Sequence, residues 1–117
     1  MLIAVGRLEL RPEANRLWFG ILTWLALRQA LRAPGCRHAT ARSENDRVYW
    51  SLSAWQTAEA MRAYRNSGAH QRAMRAFARR STGRFVHWQA ESVPDWPEAM
   101  RRAEAADSAQ PSTAAAS

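Results

Sequence analysis

The order in which the hydrophobic periodicity changes is the strongest constraint on how this chain can fold. From Leu2 to Leu10 the spacing is two, with Leu2, Ala4, Gly6, Leu8 and Leu10 on one face and Arg7 and Glu9 interrupting the other, which predicts a strand. From Pro12 to Leu31 it becomes three and four, through Leu17, Ile21, Trp24, Leu27 or Arg28, and Leu31. Trp18, Leu22 and Leu25 widen that stripe, so the helix is expected to be buried on more than one side. Ala33-Pro34-Gly35 ends it. Cys36 to Arg42 reads as a weaker strand, and Ser43-Glu44-Asn45-Asp46 as a polar turn.

Arg47 to Trp55 is the clearest strand. Val48, Trp50, Leu52 and Ala54 alternate with Tyr49, Ser51, Ser53 and Trp55, so each face carries an aromatic and both faces call for cover. Thr57 is placed to cap a helix with Glu59 in its first turn. The phase of that helix changes at Asn66-Ser67-Gly68, which predicts two helical pieces with Ser67 as a second cap. His70, Ala73, Met74 and Phe77 form the inward stripe of the second piece, and Arg65, Arg72, Arg75 and Arg79 are assigned to a solvated side. After a Ser81-Thr82-Gly83 turn, Arg84 to Glu91 reads as the last strand, with Phe85, His87 and Gln89 opposite Val86, Trp88 and Ala90. Asp95 and Glu98 have capping-box spacing for a short helix to about Ala106, anchored by Trp96.

Strand, helix, strand, strand, helix, strand is the βαββαβ order of a ferredoxin-like α+β sandwich. One domain over residues 1–106 is expected, followed by a disordered tail over 107–117 with no periodicity. Both helices would lie on one face of the sheet. An apolar second face would then be covered by a second copy of the chain, giving a homodimer through the sheet.

Composition narrows the function classes. The chain carries a net charge of +7, with all 17 basic residues arginine, but these are spread from Arg7 to Arg102 rather than clustered as a groove-reading segment requires. No nucleic-acid partner is expected. Cys36 is the only cysteine, so neither an internal disulfide nor a cysteine zinc motif can form, and no metal site is assigned. The apolar block Leu17 to Leu27 is too short to span a bilayer and no signal peptide is evident, so a cytoplasmic protein without a membrane partner is expected. Six Trp in so short a chain suggest a pocket or an interface.

The run Tyr49-Trp50-Ser51-Leu52-Ser53-Ala54-Trp55-Gln56-Thr57-Ala58-Glu59-Ala60-Met61-Arg62-Ala63-Tyr64, followed by Ser67-Gly68-Ala69-His70-Gln71-Arg72-Ala73-Met74, resembles the antibiotic-biosynthesis-monooxygenase-like superfamily. The Ser67-Gly68-Ala69-His70 form, the long apolar first helix and the Ala33-Pro34-Gly35 turn resemble a branch related to spheroidene monooxygenase. The likeness covers about Leu2 to Trp88. It implies a dimeric α/β barrel with a cavity between helices and sheet, and a membership that includes cofactor-free oxygenases of quinol-like aromatics as well as haem-degrading enzymes. Where the haem-degrading members carry a Trp and their iron-binding His, this chain has Tyr64 and Met74, so that site does not carry over.

Three functional readings share the same residues. In the first, a small monooxygenase acts without a cofactor on a hydrophobic or aromatic substrate through His70, Trp55 and Tyr64. His70 on the inward stripe would be the general base, and Trp24, Trp50, Met74, Phe77, His87 and Trp88 would line the substrate site. In the second, the same pocket holds a hydrophobic ligand without catalysis. In the third, His70 ligates haem. The plain alternative for each residue is structural: a hydrogen-bonded core histidine for His70, core packing for the Trp residues.

Overall fold

The computed structural model describes residues 1–109. Four strands, β1 (Leu2–Leu10), β2 (Cys36–Ser43), β3 (Val48–Trp55) and β4 (Ser81–Gln89), form one antiparallel sheet in the order β2-β3-β1-β4. α1 (Arg16–Arg32), α2 (Ala58–Arg65) and α3 (Gly68–Phe77) connect them, and α4 (Trp96–Ala109) follows β4. This is the expected ferredoxin-like α+β order. The register pairs Leu2 with Trp55 and Val5 with Leu52 across β1 and β3, and Leu2 with Gln89 and Val5 with Val86 across β1 and β4. β2 pairs with β3 through an irregularity between Cys36 and His38.

Local chemistry explains the ends of the elements. The Asn15 side chain accepts from the Trp18 N–H at 3.0 Å, so α1 begins at Arg16 and not at Pro12. Thr57 accepts from the Ala60 N–H at 3.1 Å and starts α2, while Asp95 accepts from the Glu98 N–H at 3.0 Å and starts α4. α4 continues past Ala106 to Ala109, and the remainder of the expected tail lies outside the described residues. Ser67 stands at the N-cap of α3 with extended backbone, as expected, but its hydroxyl donates back to the Tyr64 carbonyl at 3.2 Å and makes no capping bond to the helix. Ser81-Thr82-Gly83 belongs to β4 rather than to a turn, since these residues pair with Leu10, Glu9 and Leu8 at the far end of β1.

Alternation along the strands sends residues to two separate cores. Leu2, Trp55 and Met61 pack with Ala30 on the side of α1 and α2, and Leu10, Phe19, Leu22 and Phe77 pack where α1 meets α3. Ile3, Val5, Trp50, Leu52 and Ala54 point to the opposite face. There the premise for a second copy needs correction: α4 lays Ala99 and Ala103 against that face, and Ile3, Val5, Val48, Trp50, Leu52 and Ala54 are buried within the single chain, with Val86 and Trp88 half-buried.

α1 also departs from expectation. Its buried residues are Phe19, Leu22, Ala26 and Ala30, whereas Leu17, Trp18, Ile21, Trp24 and Leu31 are exposed. The helix is apolar all round, and the sheet can touch only one side of it. Leu22→Ala should therefore destabilise the protein by about 3 kcal/mol, against less than about 0.5 kcal/mol for Leu17→Ala, as read by urea unfolding. Equal losses would mean that Leu17 is packed as closely as Leu22.

Candidate functional site

The site is a cavity of about 650 Å³ between the sheet and the three helices α1 to α3. Its floor is built from the residues that alternation turns toward the helices, among them Ala4 and Gly6 of β1, Ser51 and Ser53 of β3, and Phe85 and His87 of β4. Phe19, Thr23, Ala26 and Ala30 of α1 form one part of the roof. Met61 and Tyr64 of α2 and His70, Ala73 and Met74 of α3 form the rest. Small floor residues leave the room. A Cβ on Gly6 would stand 2.8 Å from the Phe85 ring and one on Gly83 2.9 Å from it, so the ring reaches the sheet only because both positions are glycine.

One end of the cavity is a column of rings. Trp55 is fully buried and stacks on Tyr64 at 5.1 Å between centroids, and Tyr64 meets the His70 imidazole at 4.8 Å. The polar atoms of two of these rings are occupied. Trp55 Nε1 donates to Ser53 Oγ at 2.8 Å, and the Tyr64 hydroxyl donates to the Ala26 carbonyl at 2.9 Å, tying α2 to α1. Burial, with a smaller contribution from Cys36, raises the Tyr64 pKa well beyond the ordinary phenol range, so Tyr64 serves as a neutral donor and not as a phenolate.

His70 differs. Its Nδ1 is buried with no hydrogen-bond partner. Burial is the main cause of a lowered pKa; a hydrogen bond from the imidazole to the Arg65 backbone opposes it, and the nearby Arg65 charge adds a smaller lowering. The imidazole is therefore neutral near pH 7, with one nitrogen donating to the Arg65 backbone and the other left to accept a proton. Buried polar atoms are nearly always paired, and an orphan on a cavity wall is a candidate ligand contact.

The hinge that presents His70 is local. Gly68 has φ +54°, a conformation that L side chains rarely adopt, and a Cβ there would lie 2.5 Å from Gln29 Oε1. Gln29 Nε2 donates to both the Ser67 carbonyl and Ser67 Oγ, clamping the break between α2 and α3 to α1. The break also changes helix phase. Arg65, assigned by its sequence spacing to a solvated side, is partly buried and lines the cavity near His70, while Arg72, Arg75 and Arg79 remain exposed.

The sequence-selected residues thus divide. His70, Trp55, Tyr64, Met74 and His87 meet at one cavity. Phe77 is buried against Phe19 at 5.0 Å and closes the packing beyond it. Three tryptophans chosen for the substrate site need correction. Trp24 lies on the outer side of α1 beneath the Arg28 guanidinium, 4.9 Å from its ring centroid. Trp88 packs on the α4 face beneath Arg102. Trp50 offers the cavity only its stretch of strand; its ring points to the α4 face, where Nε1 donates to Glu44 at 3.1 Å. Residues not selected from the sequence are Ser51, Thr23, Phe85 and Arg65. The alternation that selected Trp55 and His87 also carries Ser51 and Phe85, and the four-residue step from Met61 puts Arg65 on the inward face of α2.

A four-stranded antiparallel sheet roofed by helices over an aromatic-lined cavity defines a class of small ferredoxin-like proteins. The family model for antibiotic biosynthesis monooxygenases matches residues 1–76, and the chain belongs to that family. Kinship to the spheroidene monooxygenase branch is not shown. Solved structures of similar fold include SnoaB, a cofactor-independent oxygenase from Streptomyces nogalater, at 18% identity and a TM-score of 0.63 over 80% of this chain and 97% of that one. Rv0793 from Mycobacterium tuberculosis is similar at 13% identity and a TM-score of 0.68, over 80% of this chain and 98% of that one. A structure described as an antibiotic biosynthesis monooxygenase gives 14% and 0.70, over 79% of this chain and all of that one. A search of curated proteins returned no match.

The neutral buried imidazole has a consequence for stability. A histidine with a lowered folded pKa binds fewer protons folded than unfolded between that pKa and the ordinary 6.5, so its contribution is complete above 6.5 and is lost as pH falls through the folded value. The melting temperature should decline below pH 6.5, and His70→Gln should flatten that decline in a thermal melt series. An unchanged slope in the variant would assign the acid sensitivity to other groups.

Proposed function

We propose that the protein is a small monooxygenase acting without a bound cofactor on a flat hydrophobic or aromatic substrate held in the cavity. The observation that carries this reading is the buried, unpartnered Nδ1 of His70 at the end of the Trp55–Tyr64–His70 column. The chain's membership in the monooxygenase family and its likeness in fold to a cofactor-independent oxygenase support it.

The chemistry follows from the residues. A phenolic or enolic substrate lying over the small floor residues gives its acidic proton to neutral His70. Burial makes a charged imidazolium costly, which favours a base that returns the proton within the same cycle. The resulting carbanion or phenolate is the electron donor to oxygen. When a ring CH₂ becomes C=O, one atom of O₂ enters the substrate and the other leaves as water, and the substrate supplies all four electrons. Tyr64, itself stacked on Trp55, packs at a tilt against the imidazole and positions it, and Met74, Phe85 and His87 bound the substrate. Ser51 and Thr23 offer hydroxyls for its polar substituents.

An oxygen electrode with a panel of quinols and anthrone-like compounds tests this. Oxygen uptake by the purified protein is expected, and His70→Ala should lower it by about 10²- to 10⁴-fold, the usual worth of a general base. Saturable binding of the same compounds with no uptake would make the protein a binding module instead. A Soret band lost in His70→Ala would make it a haem protein. A homodimer remains part of this proposal, with the second copy seated on α4 rather than on bare sheet. A monomer mass by light scattering at micromolar concentration would remove it.

A further inference from the structure

The outer face of α1 takes no part in the fold. Leu17 is 77% exposed, Leu31 58%, Trp24 55%, Trp18 46% and Ile21 42%, and together they run the length of the helix. At 100° per residue Leu17, Ile21, Trp24, Arg28 and Leu31 fall within an arc of about 80°, opposite the buried Phe19, Leu22, Ala26 and Ala30. A recess beside the arc, lined by Leu25, Arg28, Arg32, Pro34 and Ala63, extends the patch toward α2. Contiguous apolar surface of this kind marks a site of interaction.

We propose that this face docks on an anionic lipid bilayer, with α1 lying in the interface plane. Charge selects the occupant. α1 carries Arg16, Arg28 and Arg32 and no acidic residue, in a chain of net charge +7. Arg16 pairs with Asp46 at 3.0 Å, but Arg28 lies on the exposed arc among the apolar residues and Arg32 at its edge. Tryptophan rings with arginine beside them on one side of a helix match the boundary between acyl chains and anionic headgroups. A second copy fits poorly, because α1 against α1 brings arginines together with no carboxylate on the helix to meet them. Among the described residues no helix is long and apolar enough to cross a membrane, and the proposal needs none. The earlier expectation of no membrane partner rested on spanning length and does not bear on a helix lying flat. α1 also roofs the cavity, so docking would hold the cavity beside the phase in which hydrophobic compounds dissolve; that consequence rests on the proposed function, while lipid binding does not.

Flotation of the purified chain, without substrate, with vesicles of phosphatidylcholine alone and with vesicles of equal parts phosphatidylcholine and phosphatidylglycerol tests the proposal. Binding to the anionic vesicles with a blue shift of Trp emission, weakened by added salt, is expected. The double variant Leu17→Glu with Trp24→Glu should lose at least about tenfold in partitioning, since each change removes an inserted apolar side chain and adds a repelled charge. Circular dichroism of the variant should be unchanged, because both residues lie outside the core. Overturning results are no binding to anionic vesicles, equal binding by the double variant, or a wild-type dimer that the double variant converts to a monomer without any vesicle binding; the last would assign the face to a second copy.

Discussion

The antiparallel pairing of β1 with β3 is the constraint on which the rest of the molecule depends. Once Leu2 stands opposite Trp55, every second residue of both strands is committed to the helix side and the others to the α4 side. A slip of one residue would turn Trp50 into the cavity and Trp55 out of it. Leu52 on one face and Trp55 on the other make such a slip costly, because either shift would bring a large side chain against the wrong layer. The small floor residues Ala4, Gly6, Ser51 and Ser53 follow from the same commitment, and they leave the cavity open where larger side chains would fill it.

Above that floor, polar contacts hold α1 and α2 to one another without filling the space between them. The Tyr64 hydroxyl reaches the Ala26 carbonyl, and the Gln29 amide reaches Ser67. These bonds satisfy groups that would otherwise be orphaned at a helix break, and they fix where α3 starts. His70 follows immediately, and its imidazole is therefore placed by α1 as much as by its own helix. Its Nδ1 is left without a protein partner among neighbours that are satisfied, which is the arrangement expected where a ligand completes a site.

Much of this was legible from the chain. Strict alternation over Arg47 to Trp55 separated Trp55 from Trp50, and the change of phase at Asn66-Ser67-Gly68 marked the break that presents His70. The failures have separate causes. Trp24, Leu17, Ile21 and Leu31 have helical spacing as regular as that of Phe19, Leu22, Ala26 and Ala30, and periodicity cannot say which of two apolar sides meets the sheet. Arg65 was read in phase with Arg72 across a break that destroys that phase. Residue type alone does not place the other tryptophans: the rings of Trp24, Trp50 and Trp88 each lie against an arginine, and only Trp50 borders the cavity, through its stretch of strand.

The sequence by itself determined the order of elements, the alternating faces of the strands and the glycine-dependent break before His70, because these depend on local periodicity and backbone sterics. Only the tertiary structure decided which side of α1 is buried, that α4 covers the second face of the sheet, and that Trp55, Tyr64 and His70 meet ring against ring. Those outcomes depend on which surfaces meet across long stretches of chain, and side-chain spacing within one element carries no record of the neighbour it will find.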